Sequence, residues 1–318
     1  MRANHHVFQH LIAQCKDLEP IAVAVAWPDD EVSLLGALEA ARQGLIVPTL
    51  VGLRSSIVAA ARSLNRDISA CRIVDADSAE AAAAQAVALC RKAECAALMK
   101  GSLHTDVLMH EVMKADTGLR GARRISHVFV MDVPSYSKLL LITDAAVNIY
   151  PSLEEKVDIV QNAIDLAHVL GIGQPKVAIL SAVETVTPKI ASTIDAAALC
   201  KMAERGQIQG GTVDGPLAFD NAVSIRAARI KHIVSPVAGQ ADVLVVPDLE
   251  SGNMLAKQLE YLADAEAAGI VLGARVPIVL TSRADSTKAR LASCAVMAML
   301  VNARRKGEPA HGGDGSVR

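Results

Sequence analysis

The residues of this chain best suited to chemistry stand where short aliphatic runs end. Lys100, Gly101 and Ser102 follow the run at 95–99. Thr143 and Asp144 follow 138–142, and Ser181 follows 177–180. Asp248, Glu250, Ser251, Gly252 and Asn253 come after 243–246, and Thr281, Ser282, Arg283, Asp285 and Ser286 after 277–280. In an open parallel sheet, ligands collect beyond the carboxyl ends of the strands. Five such ends therefore carry small or hydrogen-bonding groups, with cations at two of them. Each position alone also reads as a helix N-cap, a place that prefers Ser, Thr, Asp and Asn. Taken together they point to one crevice.

The sharpest local signal is LTSRADS at 280–286. A strand runs straight into Ser282 and Arg283, and Ser286 can cap the following helix. Helix-terminal amides beside a guanidinium suit phosphate. The competing reading pairs Arg283 with Asp285 or another surface acid. A second loop is expected at GGTVDGPLAFDNA, 210–222, which offers Gly215 and Pro216 for a tight turn and close backbone approach to a ligand. Its acids, Asp214 and Asp220, fit poorly with a phosphate cradle. They fit better with a hydrogen bond to a thiol or to Arg283.

Other motifs are absent or weak. Gly171 and Gly173 precede a strand instead of opening a helix after one, so they are no dinucleotide fingerprint. The sequence holds no phosphate-binding G-x-x-x-x-G-K-[ST] loop and no G-x-S-x-G elbow. His104 and His110 are six apart and would face different ways on one helix. The six cysteines form no C-x-x-C pair. They read as free, mostly buried thiols in a reducing cytoplasm.

Positioning these residues requires alternating strands and helices, and the pattern supplies them. Strands are expected at 21–26, 46–51, 72–74 and 95–99, separated by helices that Asp29 or Asp30 and Asp77 or Ser78 cap. Between 118 and 151 the rhythm changes. The runs 127–132 and 138–142 are joined by Val-Pro-Ser-Tyr-Ser, which predicts an antiparallel pair inside a mixed sheet. Ser152 and Glu155 form a capping box for a helix reaching Gly171. Further strands are expected at 177–180, 243–246 and 277–280, and helices at about 188–204, 219–231, 254–268 and 286–305. The glycine-rich tail is expected to be disordered. This is the pattern of an α/β protein.

Composition narrows the function. Of 318 residues, 52% are apolar and 2% aromatic, and the formal charge is −2. The length suits two domains or one large α/β unit. The near-neutral balance and scarcity of aromatic stacking platforms argue against nucleic acid as a partner. The apolar runs are strand-sized, and the N-terminus lacks a signal-peptide core, so no membrane partner is expected.

The runs TDAAVNIYPSLEEKVDIVQNA, QPKVAILSAVE, VDGPLAFDNAVS, DVLVVPDLESGNMLAKQL and VPIVLTSRADS occur in that order. Together they resemble the phosphate acetyltransferase/phosphate butyryltransferase family across residues 95–303. PVAGQADVLVVPDLESGN and GIVLGARVPIVLTSRADS look closer to the butyryl branch. The resemblance implies an isocitrate/isopropylmalate-dehydrogenase-like fold, with two α/β domains facing across a cleft, usually in a homodimer. It implies a discontinuous first domain, 1–145 plus 270–318, and an inserted second domain, 146–269. The implied activity is reversible transfer of a short acyl group (acetyl, propionyl or butyryl) between coenzyme A and inorganic phosphate, with acyl phosphate as product and no metal or bound cofactor.

By the same resemblance Ser282 and Arg283 stand at the reacting centre. The Arg would hold phosphate and stabilise charge on the tetrahedral intermediate, and the Ser would hydrogen-bond the thiol or carbonyl oxygen. Lys100, Gly101, Thr143, Ser181, Gly215, Pro216, Asp248, Asn253 and Ser286 are the candidate substrate-binding residues. Two positions depart from the family. Its acetyl branch has a carboxylate seven residues after the Ser, where this chain has Ala289, which leaves Asp285 or Asp220 as candidate bases or the reaction without one. An Arg of that branch falls near His110, and Lys100, Arg120, Arg123 or Arg124 can supply the missing cation. Two other readings compete. A nicotinamide- and metal-dependent decarboxylating dehydrogenase of the same fold would need an acidic metal cluster and a Tyr/Lys pair, with Tyr136, Tyr150 and Tyr261 the only tyrosines. A non-catalytic coenzyme A-binding domain would bind without turnover.

Overall fold

Ile21–Ala26 is fully apolar and almost wholly buried, the signature of a strand covered on both faces. The same logic builds the rest of a computed structural model, which describes residues 6–282 and 285–307. The chain divides into two units, one of His5–Ile125 with Ala267–Asn302, the other centred on Ser126–Glu266.

The first unit begins α1 (His6–Gln14), β1 (Ile21–Ala26), α2 (Glu31–Arg42), β2 (Ile46–Gly52), α3 (Arg54–Ser63) and β3 (Arg72–Asp75). It continues through α4 (Ala79–Arg91), β4 (Ala97–Lys100) and α5 (Thr105–Met113). The second unit holds β5 (Ser126–Asp132), β6 (Leu140–Thr143), α6 (Leu153–Val169), β7 (Lys176–Leu180), α7 (Ala191–Glu204) and β8 (Thr212–Leu217). It ends with α8 (Phe219–Val223), α9 (Ile225–Ile230), β9 (Val243–Val245) and α10 (Leu249–Leu262). The chain then returns to the first unit as β10 (Glu266–Leu272), β11 (Ile278–Val279) and α11 (Thr287–Arg305).

Within the first unit the strand order is β3-β2-β1-β4-β11-β10. β3, β2, β1, β4 and β11 run parallel, and β10 pairs antiparallel with β11. Within the second the order is β5-β6-β9-β7-β8. Here β6, β9, β7 and β8 are parallel, and β5 is antiparallel to β6 through Val128↔Thr143 to Met131↔Leu140, as the missing helix between them predicts. Each parallel set therefore presents its carboxyl ends along one edge.

Local sequence sets the helix starts. Asp30 caps α2 by accepting the Ser33 amide at 2.6 Å, and Ser78 caps α4. Ser152 and Glu155 form the expected capping box on α6. The core behind the strands is aliphatic. Ala82, Ala83, Ala86 and Val87 of α4 let that helix lie close on the sheet.

Three expectations fail. The predicted helix at 254–268 stops at Leu262, and Glu266–Leu272 is a strand instead. EAAGIVL opens with Glu266, Ala267 and Ala268, all good helix formers, which masks the strand. The expected loop 210–222 contains β8, an edge strand in this unit, where Pro216 costs no ladder bond. The predicted helix 219–231 breaks at Ser224, whose extended backbone ends α8 and whose side chain caps α9. The tail prediction lies outside the described residues.

Candidate active site

In the first unit the carboxyl ends of β1, β4 and β11 lie side by side, because Ala26 pairs with Lys100 and Val279 with Met99. The Gly101 amide donates to the Ala26 carbonyl at 2.8 Å, and the Ser102 amide to Trp27 at 2.9 Å. A side chain at Gly101 would bring its Cβ to 2.4 Å from both the Ala26 and Trp27 carbonyls, so the turn after β4 requires glycine. The Ser102 hydroxyl donates its one proton to the Asp29 carboxylate and lies 3.0 Å from the Trp27 carbonyl, tying the ends of β1 and β4 together. Lys100 is buried, and its ammonium reaches the carbonyls of Gly101 at 3.3 Å and Thr281 at 3.5 Å.

Thr281 and Ser282 form the exit from β11. Ser282 is exposed; its amide donates to the Asp285 carboxylate at 2.7 Å, and its carbonyl accepts the Asp285 amide at 3.2 Å. Asp285 is half-buried and closes this turn. The exposed Ser286 accepts the Ala289 amide at 3.1 Å, the cap expected at the start of α11. Arg283 lies outside the described residues. Ala289 is buried, and no carboxylate stands at that position.

Arg290 is the residue that sequence reading missed. Its guanidinium, 2% exposed, donates from Nη1 to the Thr281 hydroxyl and from Nη2 to the Ser282 carbonyl, both at 2.8 Å. A charged residue interrupting the small-residue face of α11 was the visible signal. Its meaning depends on Gly36 of α2, where a Cβ would come within 2.5 Å of the Arg290 Cδ. Burial pulls this guanidinium below its usual range, against the pull of Asp285 and Asp30.

In the second unit Thr143, Ser181 and Asp248 stand at or just past the ends of β6, β7 and β9. The Thr143 hydroxyl is fully buried and donates to the His127 carbonyl at 2.8 Å. The next residue, Asp144, is also buried and anchors the loop that follows. One carboxylate oxygen accepts the amides of Ala146 and Val147 at 2.9 and 3.0 Å. The other accepts those of His127 and Asn148 at 3.2 and 3.3 Å, and the Asn148 side chain at 2.5 Å. Burial raises this carboxyl, and the donors pull it down.

Asp248 caps α10, accepting the Ser251 amide and hydroxyl at 2.8 Å each. The first turn of α10 approaches the Asp144 loop so closely that a Cβ at Gly252 would lie 2.9 Å from the Asp144 carbonyl. Asn253 follows, donating to the Ala145 carbonyl at 3.3 Å. These contacts bring Thr143, Asp144, Asp248 and Asn253 together.

Ser181 shares a hydrogen bond with Ser192 at 2.8 Å. Gly215 and Pro216 lie in β8, joined by a cis bond, and the Gly215 carbonyl accepts the Cys200 thiol. Burial, with Asp214 and Glu204 adding to it, pushes that thiol up to about 12. Asp220 is exposed and pairs with Lys231 at 3.1 Å, and Lys231 also faces Glu184 at 3.5 Å. These carboxylates raise the Lys231 ammonium above its ordinary value. Among the described residues, no group of three or more His, Cys, Asp or Glu could hold a metal ion, and no helix is long and apolar enough to cross a membrane.

Comparison with known proteins bears on this arrangement. Residues 79–298 match the family model described as "Phosphate acetyl/butaryl transferase". A phosphate acetyltransferase of Rhizobium meliloti is 62% identical over 95% of this chain and 96% of its own length. A phosphate butyryltransferase of Clostridium acetobutylicum is 41% identical over 92% of this chain and 97% of its own. The sequence motifs leaned toward the butyryl branch; these identities lean toward the acetyl one. A branched-chain phosphotransacylase from Enterococcus faecalis superposes with a TM-score of 0.76 at 32% identity, covering 88% of this chain and 99% of that one. A 4-hydroxythreonine-4-phosphate dehydrogenase from Burkholderia phymatum shares the fold alone, with a TM-score of 0.53 at 14% identity over 89% of this chain and 99% of its own. The fold is therefore the dehydrogenase-like α/β type expected, and the chain belongs to the phosphate acetyl/butyryl transferase family.

Proposed function

We propose that this protein is a phosphate acyltransferase, transferring a short acyl group reversibly between coenzyme A and inorganic phosphate, with acetyl as the preferred group. The observation that carries the reading is 62% identity to a phosphate acetyltransferase along nearly the whole of both chains. The chemistry of the first unit supports it. Two buried cations, Lys100 and Arg290, reach the strand end that carries Ser282, where a polyanion must be held.

In the direction of acyl phosphate synthesis, a phosphate oxygen attacks the thioester carbonyl carbon. The tetrahedral intermediate then collapses, the carbon–sulfur bond breaks, and the coenzyme A sulfur leaves with the electron pair. Arg283 neutralises phosphate and the developing oxyanion, and Ser282 hydrogen-bonds the carbonyl oxygen or the sulfur. In the reverse direction the thiol must lose a proton. Asp285 and Asp220 are the carboxylates proposed for this, the first hydrogen-bonded to the Ser282 amide and the second paired with Lys231. Lys100, Gly101 and Ser286 serve the phosphate end. Thr143, Ser181, Gly215, Pro216, Asp248 and Asn253 serve coenzyme A, with Thr143 and Ser181 acting by shaping their loops, because their hydroxyls already have partners. Proximity of the bound substrates supplies much of the acceleration, and no metal or further cofactor is required.

The proposal includes a homodimer in the cytoplasm. Exposed Met254, Tyr261 and Leu262 on α10, with Ile149 and Tyr150 beside its start, form an apolar face that a second copy would cover. All six cysteines are free, as a reducing compartment favours. The function is tested by incubating acetyl-coenzyme A with inorganic phosphate and following release of free thiol. Phosphate-dependent release supports the reading, and release at the same rate without phosphate refutes it.

A further inference from the structure

Among the described residues, Arg290 is the largest fully buried side chain and none of their carboxylates lies within ion-pairing distance of it. Asp285 and Asp30 act on it only through longer-range attraction. Its Nε is buried without a hydrogen-bond acceptor. Burying a guanidinium unpaired is costly, and an apolar side chain would fill the space more cheaply. The fold nevertheless makes room for it, through the bare Cα of Gly36.

The contacts of Arg290 indicate what it does. It holds the Thr281 hydroxyl and the Ser282 carbonyl, while Lys100 holds the Thr281 carbonyl and Asp285 holds the Ser282 amide. Both backbone groups of Ser282 are thereby fixed, although its side chain is exposed. Two N–H bonds from one planar group to two neighbouring residues fix orientation as well as distance. A buried cation with no described carboxylate in direct contact also favours an anion at the adjacent strand end.

We propose that Arg290 is a positioning residue for acyl transfer, holding Thr281 and Ser282 in the geometry that presents the reacting centre and contributing buried positive charge toward the phosphate. The inference rests on the acyltransferase reading and adds to it a residue outside the Ser-Arg pair.

The test compares wild type with Arg290→Met, Arg290→Lys and Thr281→Val. It measures kcat and KM for phosphate and for acetyl-coenzyme A, coenzyme A affinity by calorimetry, and thermal melting. Arg290→Met is expected to lower kcat by ~10–100-fold and raise the phosphate KM by ~10-fold, with coenzyme A affinity within about twofold of wild type. Arg290→Lys is expected to recover much of the phosphate KM and little of kcat, because lysine restores charge without the fork. A merely structural role would lower the melting temperature and the active fraction and leave both KM values unchanged. Folded Arg290→Met with wild-type kcat and phosphate KM overturns the proposal. If Arg290→Met does not fold, Thr281→Val decides: it keeps the cation and removes one anchor, so kcat should fall ~3–10-fold at unchanged phosphate KM. An unchanged kcat in that variant overturns the proposal as well. An inactive wild type would instead refute the acyltransferase reading on which the proposal depends.

Discussion

The guanidinium of Arg290 donates to the hydroxyl of Thr281 at 2.8 Å, one residue before the exposed Ser282. A group in the interior of α11 thus controls the backbone that carries the candidate chemistry. The geometry divides the labour in the first unit, with buried cations beneath the strand end and hydroxyl and carboxylate groups at its surface. Several consequences of this arrangement can be measured.

Arg283 is predicted to act directly. Arg283→Ala should lower turnover by ~10²-fold or more while leaving the unfolding transition in place, if the guanidinium meets the developing charge. Steady-state kinetics beside thermal melting check this. Near-normal turnover removes Arg283 from the mechanism.

Gly101 should tolerate no side chain. In Gly101→Ala the new methyl would press on the carbonyls of Ala26 and Trp27. A loss of ~1–3 kcal/mol of stability is expected from the forced shift at the end of β4. Turnover should fall too, because Lys100 moves with that strand end. Urea unfolding with unchanged midpoint would contradict the close approach.

His127 predicts an acid-sensitive fold. Both ring nitrogens are buried without partners, the ring packs edge-on against Phe129, and burial, aided by Lys257, lowers its pKa to about 3. In the unfolded chain the ring protonates near the ordinary histidine value of about 6.5. Below that pH the unfolded state binds the extra proton. Stability is therefore fully present above ~6.5 and declines as pH falls toward ~3, by up to ~1.4 kcal/mol per pH unit from this group. His127→Leu should flatten that decline. Equal slopes for wild type and variant between pH 6.5 and 4.5 would show that another group is responsible.

The buried thiols predict the opposite limb. Burial pushes Cys90, Cys200 and Cys294 up to about 12 and Cys15 to about 11. An unfolded chain releases these protons near ~8.5, so folding stability should fall as pH rises above ~8.5 toward 11–12. At pH 8 the buried Cys15, Cys90 and Cys294 should resist iodoacetamide in the folded protein and react once it is unfolded. Mass spectrometry showing prompt labelling of Cys294, a side chain with no exposure, would contradict the packing.

Much of this architecture is legible in the sequence because it depends on local rules. The Ser152–Glu155 capping box and the strand pair 127–132 and 138–142 each announce themselves within a few residues. The strand at Glu266–Leu272 does not, since its early alanines continue the helical pattern before it, and its pairing, in part with Ile278–Val279, is not visible in its own residues. The edge strand holding Gly215 and Pro216 looks like a loop for the same reason: tertiary pairing overrides local preference. At the candidate site, Ser282, Asp285 and Lys100 follow from the rule about strand ends. Arg290 does not, because its role requires Gly36, 254 positions earlier, to leave space beside it.

The central claim is acyl exchange between coenzyme A and phosphate. The most direct measurement mixes the purified protein with coenzyme A and acetyl, propionyl or butyryl phosphate in the presence of EDTA, and follows thioester absorbance. The account predicts thioester formation with all three, fastest with acetyl phosphate and insensitive to the chelator. No thioester from any of them, with protein that binds coenzyme A or with protein that does not, would contradict it.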